Sequence, residues 1–360
     1  MAETFYAATR KGLFTYRRNG DDWATSSPAF LGEPVNAIIK DPRDETLYAA
    51  LDLGHFGPKL HRSDDDGKTW NELAPPAFEK TDDPDEKAPS VSMIWSLAPG
   101  GGDEPGAIWA GTIPGALFRS DNSGETWRLI ESLWDRPERE GWFGGGYDHP
   151  GIHSILVDPR DSSKLTLGIS CGGVWKSSDR GETWRLTGKG LRSDYTPPEQ
   201  SEEPNTQDPH LLASCASAPD TIWCQHHNGI FLSRDGGETF TEFRDVEPAV
   251  FGFAVAVHPN DPEIAWLVPG VKDDCRVPVD GKFVVNKTID GGESWRVKTD
   301  GLPSEPSYDL VFRHALDVDE TGNRLVMGST TGNLWASDDG GERWRLLSAH
   351  LPPINAVGFG

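Results

Sequence analysis

The stretch Ser63-Asp-Asp-Asp-Gly-Lys-Thr-Trp70 decides the fold, because closely similar phrases recur along the chain. Each copy carries a hydroxyl residue, an acidic or amide residue, a glycine and a closing aromatic residue, and further copies begin at Ser120, Ser177, Ser233, Thr288 and Ser337. A degenerate copy occupies residues 16–23. The closing aromatics stand at positions 23, 70, 127, 184, 240, 295 and 344, a spacing of 47 to 57 residues. A regular period of this length indicates an array of similar small units.

The repeated phrase suits a tight turn between two β-strands. Gly67 and its equivalents can adopt the positive φ that such a turn needs. The Ser63 hydroxyl and the Asp65 carboxylate can bond nearby backbone N–H groups and hold the turn closed, while Trp70 packs between neighbouring units. The acidic position recurs in five copies and is Asn122 in a sixth. We therefore interpret it as structural, and the alternative is a set of surface sites for metal or sugar.

Short strands separated by Gly, Pro and Asp surround each phrase. In the fourth unit, four strands are predicted at Ile152–Asp158, Leu165–Ser170, Val174–Ser178 and Trp184–Thr187. Four short strands per unit, with no sustained helical period, indicate the blades of an all-β propeller. First strands of other units are predicted at Val35–Lys40, Val91–Ala98, Leu211–Ser217, Phe251–His258 and Leu310–Asp317.

The unit that contains the degenerate copy lacks a first strand at the N-terminus. Its second strand begins almost at once, at Thr4–Thr9, and the missing strand is predicted at the other end of the chain, at Ile354–Gly360. The openings Val35-Asn36-Ala37 and Ile354-Asn355-Ala356 are alike. We predict a single domain over residues 1–360, a seven-bladed β-propeller with four-stranded blades, whose C-terminal strand completes the N-terminal blade and closes the ring.

The chain is strongly acidic. It has 34 Lys and Arg against 57 Asp and Glu, a formal net charge of −23. This charge argues against nucleic acid and anionic membrane as general partners.

The cellular compartment is inferred from the segments that the sequence lacks, namely a membrane helix and a secretory signal. No apolar run approaches the roughly 20 residues that a membrane helix needs, and Met1 leads directly into a predicted strand without a secretory signal. The four cysteines have no metal-ligand spacing, and Cys215 and Cys224 are expected to be a reduced pair on adjacent strands. We expect a cytoplasmic protein without a membrane partner.

Long insertions are predicted on one face of the ring. In a propeller blade the repeated phrase joins the third and fourth strands, so the opposite face carries the connections between blades and between second and third strands. The insertions there are residues 73–90, 130–150, 188–209 and 271–281. Since loops on a rigid scaffold commonly carry function, we place the candidate site on this face.

Seven of the ten histidines map to the same face or to the upper inner strands, namely His55, His149, His153, His210, His226, His227 and His314. His153 and His314 occupy equivalent positions in blades 4 and 7, with Asn36, Met93 and Asn355 equivalent in other blades. Because inner strands line the central channel, both imidazoles are expected to point to the axis. The alternative is that these histidines are polar channel-lining residues bonded to water.

Three roles are assigned to residues around this channel mouth. Candidate catalytic groups are His153, His314, Tyr195 and Asp194, since His and Tyr can act as acid and base. Candidate ligand-binding groups are His149, Trp142, Arg192, His226, Arg276 and Arg313, in which arginines hold a carboxylate and the tryptophan stacks on a ring. Candidate ligands for a divalent metal are His153, His210, His227 and His314, of which two or three would act together with Asp148, Asp194 or Asp208.

The repeats resemble the BNR or Asp-box propeller superfamily across the whole chain, most closely bacterial seven-bladed proteins of glycosyl-hydrolase-like or sialidase-like type. Sialidases differ, since they have six blades and an Arg-Ile-Pro motif that this chain lacks, and no sialidase arginine is transferred. Xyloglucanases use paired aspartates across a cleft between two propellers, and this chain has one propeller. A glycosidase needs two carboxylates about 5–10 Å apart, and the loop-face candidates are Asp148, Asp194, Asp208, Asp273 and Asp274.

The resemblance implies a glycosyl-hydrolase-like enzyme that acts on a small carbohydrate or carboxylate-bearing ligand. The alternative is a non-catalytic protein-binding platform, like the sortilin-type receptors and the photosystem assembly factor that share the repeat. The two differ in one respect that a structure reveals. The enzyme requires a deep polar pocket, whereas the platform requires a broad loop surface.

Overall fold

The computed structural model describes residues 2–80 and 89–360, and these fold into seven four-stranded antiparallel sheets. The first strands of successive sheets contact one another around a full circle, and the last also contacts the first. The sheets are therefore the blades of a closed ring. The predicted all-β, seven-bladed propeller is confirmed.

The strands follow the repeats of the sequence. In chain order, blade 1 takes β1 (Thr4–Thr9), β2 (Gly12–Asn19) and β3 (Asp22–Thr25); blade 2 takes β4 (Val35–Lys40), β5 (Leu47–Asp52), β6 (Pro58–Ser63) and β7 (Asn71–Leu73); blade 3 takes β8 (Met93–Pro99), β9 (Ile108–Ile113), β10 (Leu117–Ser120) and β11 (Arg128–Leu129); blade 4 takes β12 (Ile152–Val157), β13 (Leu165–Ile169), β14 (Gly173–Ser177) and β15 (Arg185–Thr187).

The second half of the ring continues the pattern. Blade 5 takes β16 (Pro209–Cys215), β17 (Ala218–His226), β18 (Gly229–Ser233) and β19 (Thr241–Phe243); blade 6 takes β20 (Gly252–Val257), β21 (Ala265–Pro269), β22 (Val285–Thr288) and β23 (Arg296–Lys298); blade 7 takes β24 (Leu316–Val318), β25 (Leu325–Gly328), β26 (Leu334–Ser337) and β27 (Arg345–Ser348); and β28 (Ile354–Phe359) completes blade 1. In the described part of the chain, the helical segments are α1 (Glu131–Trp134) and the 3₁₀ turns Gly54–Phe56, Pro137–Gly141, Pro198–Gln200, Pro204–Thr206 and Val279–Gly281.

Strand β28 closes the ring as the sequence predicts. It pairs antiparallel with β1, with Phe359 opposite Phe5 and Ala356 opposite Ala8. It also contacts blade 7, because the Phe359 N–H donates to Asp317 Oδ2 at 2.8 Å. Ile354 at the start of β28 is fully buried. The two ends of the chain therefore form one blade.

Three predicted first strands have bounds that differ by two residues or more in the structure. Leu310–Asp317 is wrong as a strand, since only Leu316–Val318 is regular and residues 310–313 have no strand pairing. The first strand of blade 5 is Pro209–Cys215 and not Leu211–Ser217. The first strand of blade 3 begins at Met93, two residues after the predicted start at Val91. The shift in blade 3 changes which of its residues is equivalent to His153.

Antiparallel alternation places the connections between blades, and those between second and third strands, on one face, here called the loop face. Three of the four long predicted insertions are described in full, and the 130–150 insertion carries α1. Of the insertion at residues 73–90, residues 81–88 lie outside the described residues. The loop face is thus the face where chain is available to build a site.

Each repeated phrase forms the same hydrogen-bonded turn on the opposite face. In the blade 4 copy, Ser177 Oγ accepts from the Gly181 N–H at 2.8 Å and donates to Asp179 Oδ1 at 2.8 Å. Asp179 in turn accepts from the Thr183 N–H at 2.9 Å and from its hydroxyl. Asn122 accepts from the equivalent Thr126 N–H at the same distance. The repeated hydroxyl, carboxylate and amide groups form hydrogen bonds within their own turns, which agrees with a structural role.

We predict that these turns make the protein sensitive to acid. Bonds to neighbouring Thr or Ser groups lower the pKa of Asp65 to about 2 and also lower the pKa of Asp179 and Asp290. A carboxylate whose pKa is lower in the folded state stabilises the fold above its unfolded pKa of about 4 and loses that contribution as the pH falls towards the folded value. Urea unfolding should therefore show a falling midpoint between about pH 4 and pH 2.

The chain supplies its own control for this prediction, because Asn122 forms the turn without titrating. A variant with Asp65→Asn, Asp179→Asn and Asp290→Asn should keep a larger fraction of its pH 6 stability at pH 3 than the parent. An unchanged acid dependence in this variant would contradict the assignment.

The core lies between the blades. Five tryptophans on second or third strands are at most 1% exposed and fill the gaps between neighbouring sheets, namely Trp109, Trp175, Trp223, Trp266 and Trp335. All four cysteines are free thiols, as expected for Cys215 and Cys224. Among the described residues, no helix is long and apolar enough to cross a membrane.

Candidate functional site

A bulge in the first strands of most blades aims one side chain at the channel. One extra residue interrupts the pairing of these strands with their neighbours, and a bulge of this kind redirects a side chain. The extra residues are Asn36, Trp95, His153, His210 and Asn355. The bulge residue of blade 3 is therefore Trp95 rather than the predicted Met93. In blade 6 the irregular pair is Phe253 and Ala254.

Four of these bulge residues, with Phe253, line a cavity of about 610 Å³ at the loop face; His153 does not. Its aromatic lining is Trp95, Phe143, Tyr147, Tyr195, Phe253 and Phe312. Its charged lining is Arg10, Asp208, Asp273, Arg276 and Arg313. Concave sites with apolar walls and few convergent polar groups are the usual form of small-ligand sites. The cavity is therefore the candidate functional site.

Arg313 is a buried cation that forms no direct ion pair with a described residue. It is 9% exposed, and its guanidinium carbon lies 4.8 Å from the ring centre of Trp95 and 5.2 Å from that of Phe253. Neither an ion pair nor a hydrogen bond joins its side chain to the described residues, and its buried Nε lacks a partner. Burial lowers its pKa, which attraction to Asp208 opposes. Since a guanidinium stays protonated in proteins, the cavity contains a positive charge that Asp208 attracts without contacting it.

Asp208 forms the polar floor of the cavity with two histidines. Its Oδ1 accepts from Ser170 Oγ at 3.0 Å and from the Cys171 N–H at 3.1 Å. Its Oδ2 lies 3.4 Å from His210 Nε2 and 3.4 Å from His227 Nδ1. The strands explain this convergence, because Asp208 precedes β16, His227 follows β17, and His210 is the bulge residue of β16.

The protonation states of this group follow from its contacts. His210 Nδ1 lies 2.7 Å from the Gly252 carbonyl oxygen, which can only accept, so Nδ1 carries the proton. Burial lowers the pKa of His210. Burial raises the pKa of Asp208, but attraction to His210, the two nearby imidazole nitrogens and attraction to Arg313 outweigh it and leave the pKa well below its ordinary value. At neutral pH an ionised carboxylate therefore faces a neutral imidazole.

His153 and His314, the predicted catalytic pair, meet at the channel but not as two free imidazoles. His314 lines the cavity, and its Nε2 donates to the His153 carbonyl oxygen at 2.8 Å. His153 is 1% exposed, lies outside the cavity lining, and bonds Ser154 Oγ through Nδ1 at 2.8 Å. Burial lowers the pKa of His314 to about 4 and that of His153 well below its ordinary value. Both are neutral, and neither joins the Asp208 group.

Tyr195 lines the cavity, whereas Asp194 and Arg192 do not. The Tyr195 hydroxyl donates to the Thr206 carbonyl oxygen at 2.8 Å, and burial raises its pKa. Because the hydroxyl proton of Tyr195 is already used in this hydrogen bond, we assign the phenol ring to the cavity wall and not to acid–base chemistry. Asp194 is exposed and forms an ion pair with Arg192, which also bonds Glu242 at 3.0 Å.

The other predicted ligand-binding residues lie in the buried core, at the protein surface or in the lining of the cavity. Trp142 is buried, and its Nε1 donates to Asn205 Oδ1 at 2.9 Å, so it fills the core of its own loop. His149 is exposed and outside the cavity lining. His226 is fully buried, and its Nε2 and Nδ1 face the N–H groups of Asp208 and Asn228. Arg276 lines the cavity and pairs with Asp273.

Comparisons with known proteins give the same architecture. No protein-family model matches the chain. An oligoxyloglucan-reducing end-specific xyloglucanase of Emericella nidulans is 24% identical over 370 residues, covering 98% of this chain and 40% of that protein. The chain thus spans about two fifths of the length of this curated relative.

Two solved structures share the fold. An ancestral GH74 enzyme superposes with a TM-score of 0.60 at 17% identity, over 87% of this chain and 37% of that chain. The structure of YCF48 bound to D1 peptide superposes with a TM-score of 0.57 at 15% identity, over 94% of this chain and 90% of that chain. The propeller is therefore common to glycosyl hydrolases and to a peptide-binding protein.

Proposed function

We propose that the protein is a glycosyl-hydrolase-like enzyme whose cavity binds a small carbohydrate that carries a carboxylate. The observation that carries the proposal is Arg313, a buried guanidinium that lines the cavity without a direct ion pair to the described residues. A buried charge is costly unless it is paired, and a carboxylate on the ligand would supply the pair. Guanidinium and carboxylate are matched in geometry and form strong, charge-assisted hydrogen bonds.

The charge balance of the cavity supports an anionic ligand. Three arginines, Arg10, Arg276 and Arg313, line it against two carboxylates, Asp208 and Asp273. Counted over its arginines and carboxylates, the lining has an excess of one positive charge, although the whole chain has a net charge of −23. A positive site on an acidic protein selects small anions that reach the cavity and repels large polyanions.

The rim of the cavity supports a ring-shaped ligand. Phe143, Tyr147 and Tyr195 are between 39% and 46% exposed at this mouth. Tyr147 is held edge-on against Trp95 with 5.2 Å between ring centres. Exposed aromatic faces beside a polar floor suit the apolar face and polar edge of a pyranose ring.

The catalytic groups are not proposed to be a pair of glycosidase carboxylates. Of the described residues lining the cavity, Asp208 is hydrogen-bonded on Oδ1 and Asp273 is paired with Arg276. The pKa of Asp208 lies well below its ordinary value, the opposite of the raised pKa that a general acid needs. The polar group at Asp208, His210 and His227 is the proposed location of the chemistry instead.

The proposal is tested by calorimetric titration of the metal-free protein with D-glucuronate and, as the matched neutral sugar, D-glucose. Because a charge-assisted hydrogen bond contributes about 1.5–3 kcal/mol, glucuronate should bind at least about 10-fold more tightly than glucose. Equal affinities, or no heat from either sugar up to about 10 mM, would reject the proposal.

A second candidate function is a protein-binding platform. It is favoured by three large apolar side chains on the loop face, Leu31, Phe56 and Tyr308, which are 70–78% exposed. YCF48, which shares the fold, is known in complex with a peptide. Tyr308→Ala separates the two functions, because it should leave the affinity for glucuronate unchanged within about twofold.

A further inference from the structure

We propose that Asp208, His210 and His227 form a three-ligand site for a divalent transition metal, with zinc as the best-suited ion. The sequence offered four histidines and three aspartates as candidate ligands, and the structure brings only Asp208, His210 and His227 together. Asp208 Oδ2, His210 Nε2 and His227 Nδ1 all lie within 4.8 Å of one another. The inference concerns the floor of the cavity and does not depend on the carboxylate-binding proposal.

The distances suit a shared ion better than direct hydrogen bonds. Both histidine nitrogens lie 3.4 Å from Asp208 Oδ2, beyond the 2.7–3.2 Å range of a good N–H···O bond. Two ligands held about 2.0–2.1 Å from a tetrahedral zinc ion lie roughly 3.3–3.4 Å apart, as simple trigonometry requires. The separations of Asp208 Oδ2 from the two nitrogens are therefore those of neighbouring ligands around one metal, and the two nitrogens lie within 4.8 Å of each other.

The hydrogen bond of His210 supplies a second geometric argument. Its Nδ1 donates to the Gly252 carbonyl oxygen at 2.7 Å, so Nε2 is the ring nitrogen directed at Asp208 Oδ2, which lies 3.4 Å away. A metal-binding histidine commonly donates its other N–H to a backbone carbonyl in this way.

The carboxylate is arranged for a single metal bond. Ser170 Oγ and the Cys171 N–H both bond Oδ1, which leaves Oδ2 directed at the two imidazoles. His227 follows Asp208 across the end of the hairpin, and its N–H donates to the Asp208 carbonyl oxygen at 3.0 Å. The positions of two ligands are thus fixed by backbone pairing before any metal binds.

Two imidazoles and one carboxylate favour zinc or a similar divalent transition metal over calcium or magnesium, which prefer oxygen ligands. Three protein ligands beside a cavity leave a coordination position for water or substrate, the arrangement of catalytic rather than structural zinc sites. The proposed site therefore gives the cavity a Lewis acid next to the place where a ligand carboxylate would lie.

The test is titration of chelator-treated, dialysed protein with zinc chloride at pH 7.5 by calorimetry, with Co²⁺ absorption as a second readout. We expect one equivalent to bind, and His227→Ala and His210→Ala each to weaken binding by at least about 100-fold. His149→Ala is the matched control, since it removes an exposed histidine that does not line the cavity. It should bind zinc within about threefold of the parent.

His227→Ala is the decisive variant because the described residues give its side chain no hydrogen bond shorter than 3.4 Å. Circular dichroism and the unfolding midpoint should match those of the parent. The proposal is overturned if the parent binds no zinc below about 10 µM, or if both histidine variants bind one equivalent with unchanged affinity. Since the sugar titration uses metal-free protein, failure here leaves the carboxylate proposal standing, and the reverse also holds.

Discussion

Deletion of residues 354–360 is expected to abolish cooperative folding of the whole protein. The deletion removes strand β28, which provides the buried side chains Ile354, Ala356 and Val357. It also removes the pairing with β1 and the bond from Phe359 to Asp317. Blade 1 would then expose an unpaired inner edge, and blades 7 and 2 would lose the strand between them. An open edge of this kind invites aggregation.

The magnitude follows from the small stability of folded domains, about 5–15 kcal/mol. Burial of Ile354 and Val357 alone contributes about 3–6 kcal/mol, before the lost strand pairing is counted. The truncated chain should lack a sigmoidal urea transition and should elute as aggregate in size-exclusion chromatography.

A single substitution in β28 should destabilise the protein less than the deletion does. Ile354→Ala should lower the free energy of unfolding by about 2–5 kcal/mol. Leu346→Ala, on the outer strand of blade 7 with a side chain 49% exposed, should change it by less than about 1 kcal/mol. A truncated protein that unfolds cooperatively with the parent midpoint would refute closure by the C-terminal strand.

Arg313→Gln is expected to remove selective binding of the carboxylate-bearing sugar. The substitution keeps a polar side chain of similar reach but removes the buried charge between Trp95 and Phe253. Affinity for glucuronate should fall by at least about 30-fold, the equivalent of about 2 kcal/mol, while affinity for glucose should change by less than about threefold. Calorimetry on both sugars measures the difference.

The same variant makes an opposite prediction for stability. Because the guanidinium is buried without an ion pair, its removal should leave the melting temperature unchanged or higher. A residue kept at a cost to stability is typical of a binding site. A large drop in melting temperature, with glucuronate affinity intact, would show that Arg313 serves the fold alone.

The fold could be predicted from the sequence because the same short turn sequence recurs in each blade. The Ser, Asp and Gly of each phrase determine a turn through bonds within eight residues, so no distant contact is needed to recognise it. Closure of the ring by the C-terminal strand could also be predicted, because Ile354-Asn355-Ala356 resembles the first residues of β4. The error at Leu310–Asp317 arose because the apolar pattern continues through a segment whose backbone bends away from its neighbour.

The candidate site could be predicted only in part, because it depends on β-bulges that the sequence pattern does not show. His210, His227, His314, Tyr195, Arg276 and Arg313 were predicted near the channel and do line the cavity. His153 has the same bulge position as His210, yet its ring turns towards Ser154 and away from the cavity. Periodicity places a residue on an inner strand but does not choose its rotamer.

Sequence reasoning could not choose Asp208 and did not name Trp95. Asp208 stood among five loop carboxylates, and only the pairing of β16 with β17 brings it beside His227. Its position immediately before an inner strand with a bulge histidine was the available signal. Trp95 was missed because the predicted start of β8 was two residues early, which assigned the bulge position to Met93, although Met93 also lines the cavity.

The most direct test of the central claim is a crystal structure of the protein with D-glucuronate. The account predicts the sugar within the cavity, its carboxylate about 2.7–2.9 Å from the Arg313 guanidinium, and its ring against the aromatic rim. A sugar bound outside the cavity, or one inside it with the carboxylate directed to solvent and Arg313 still unpaired, would contradict it.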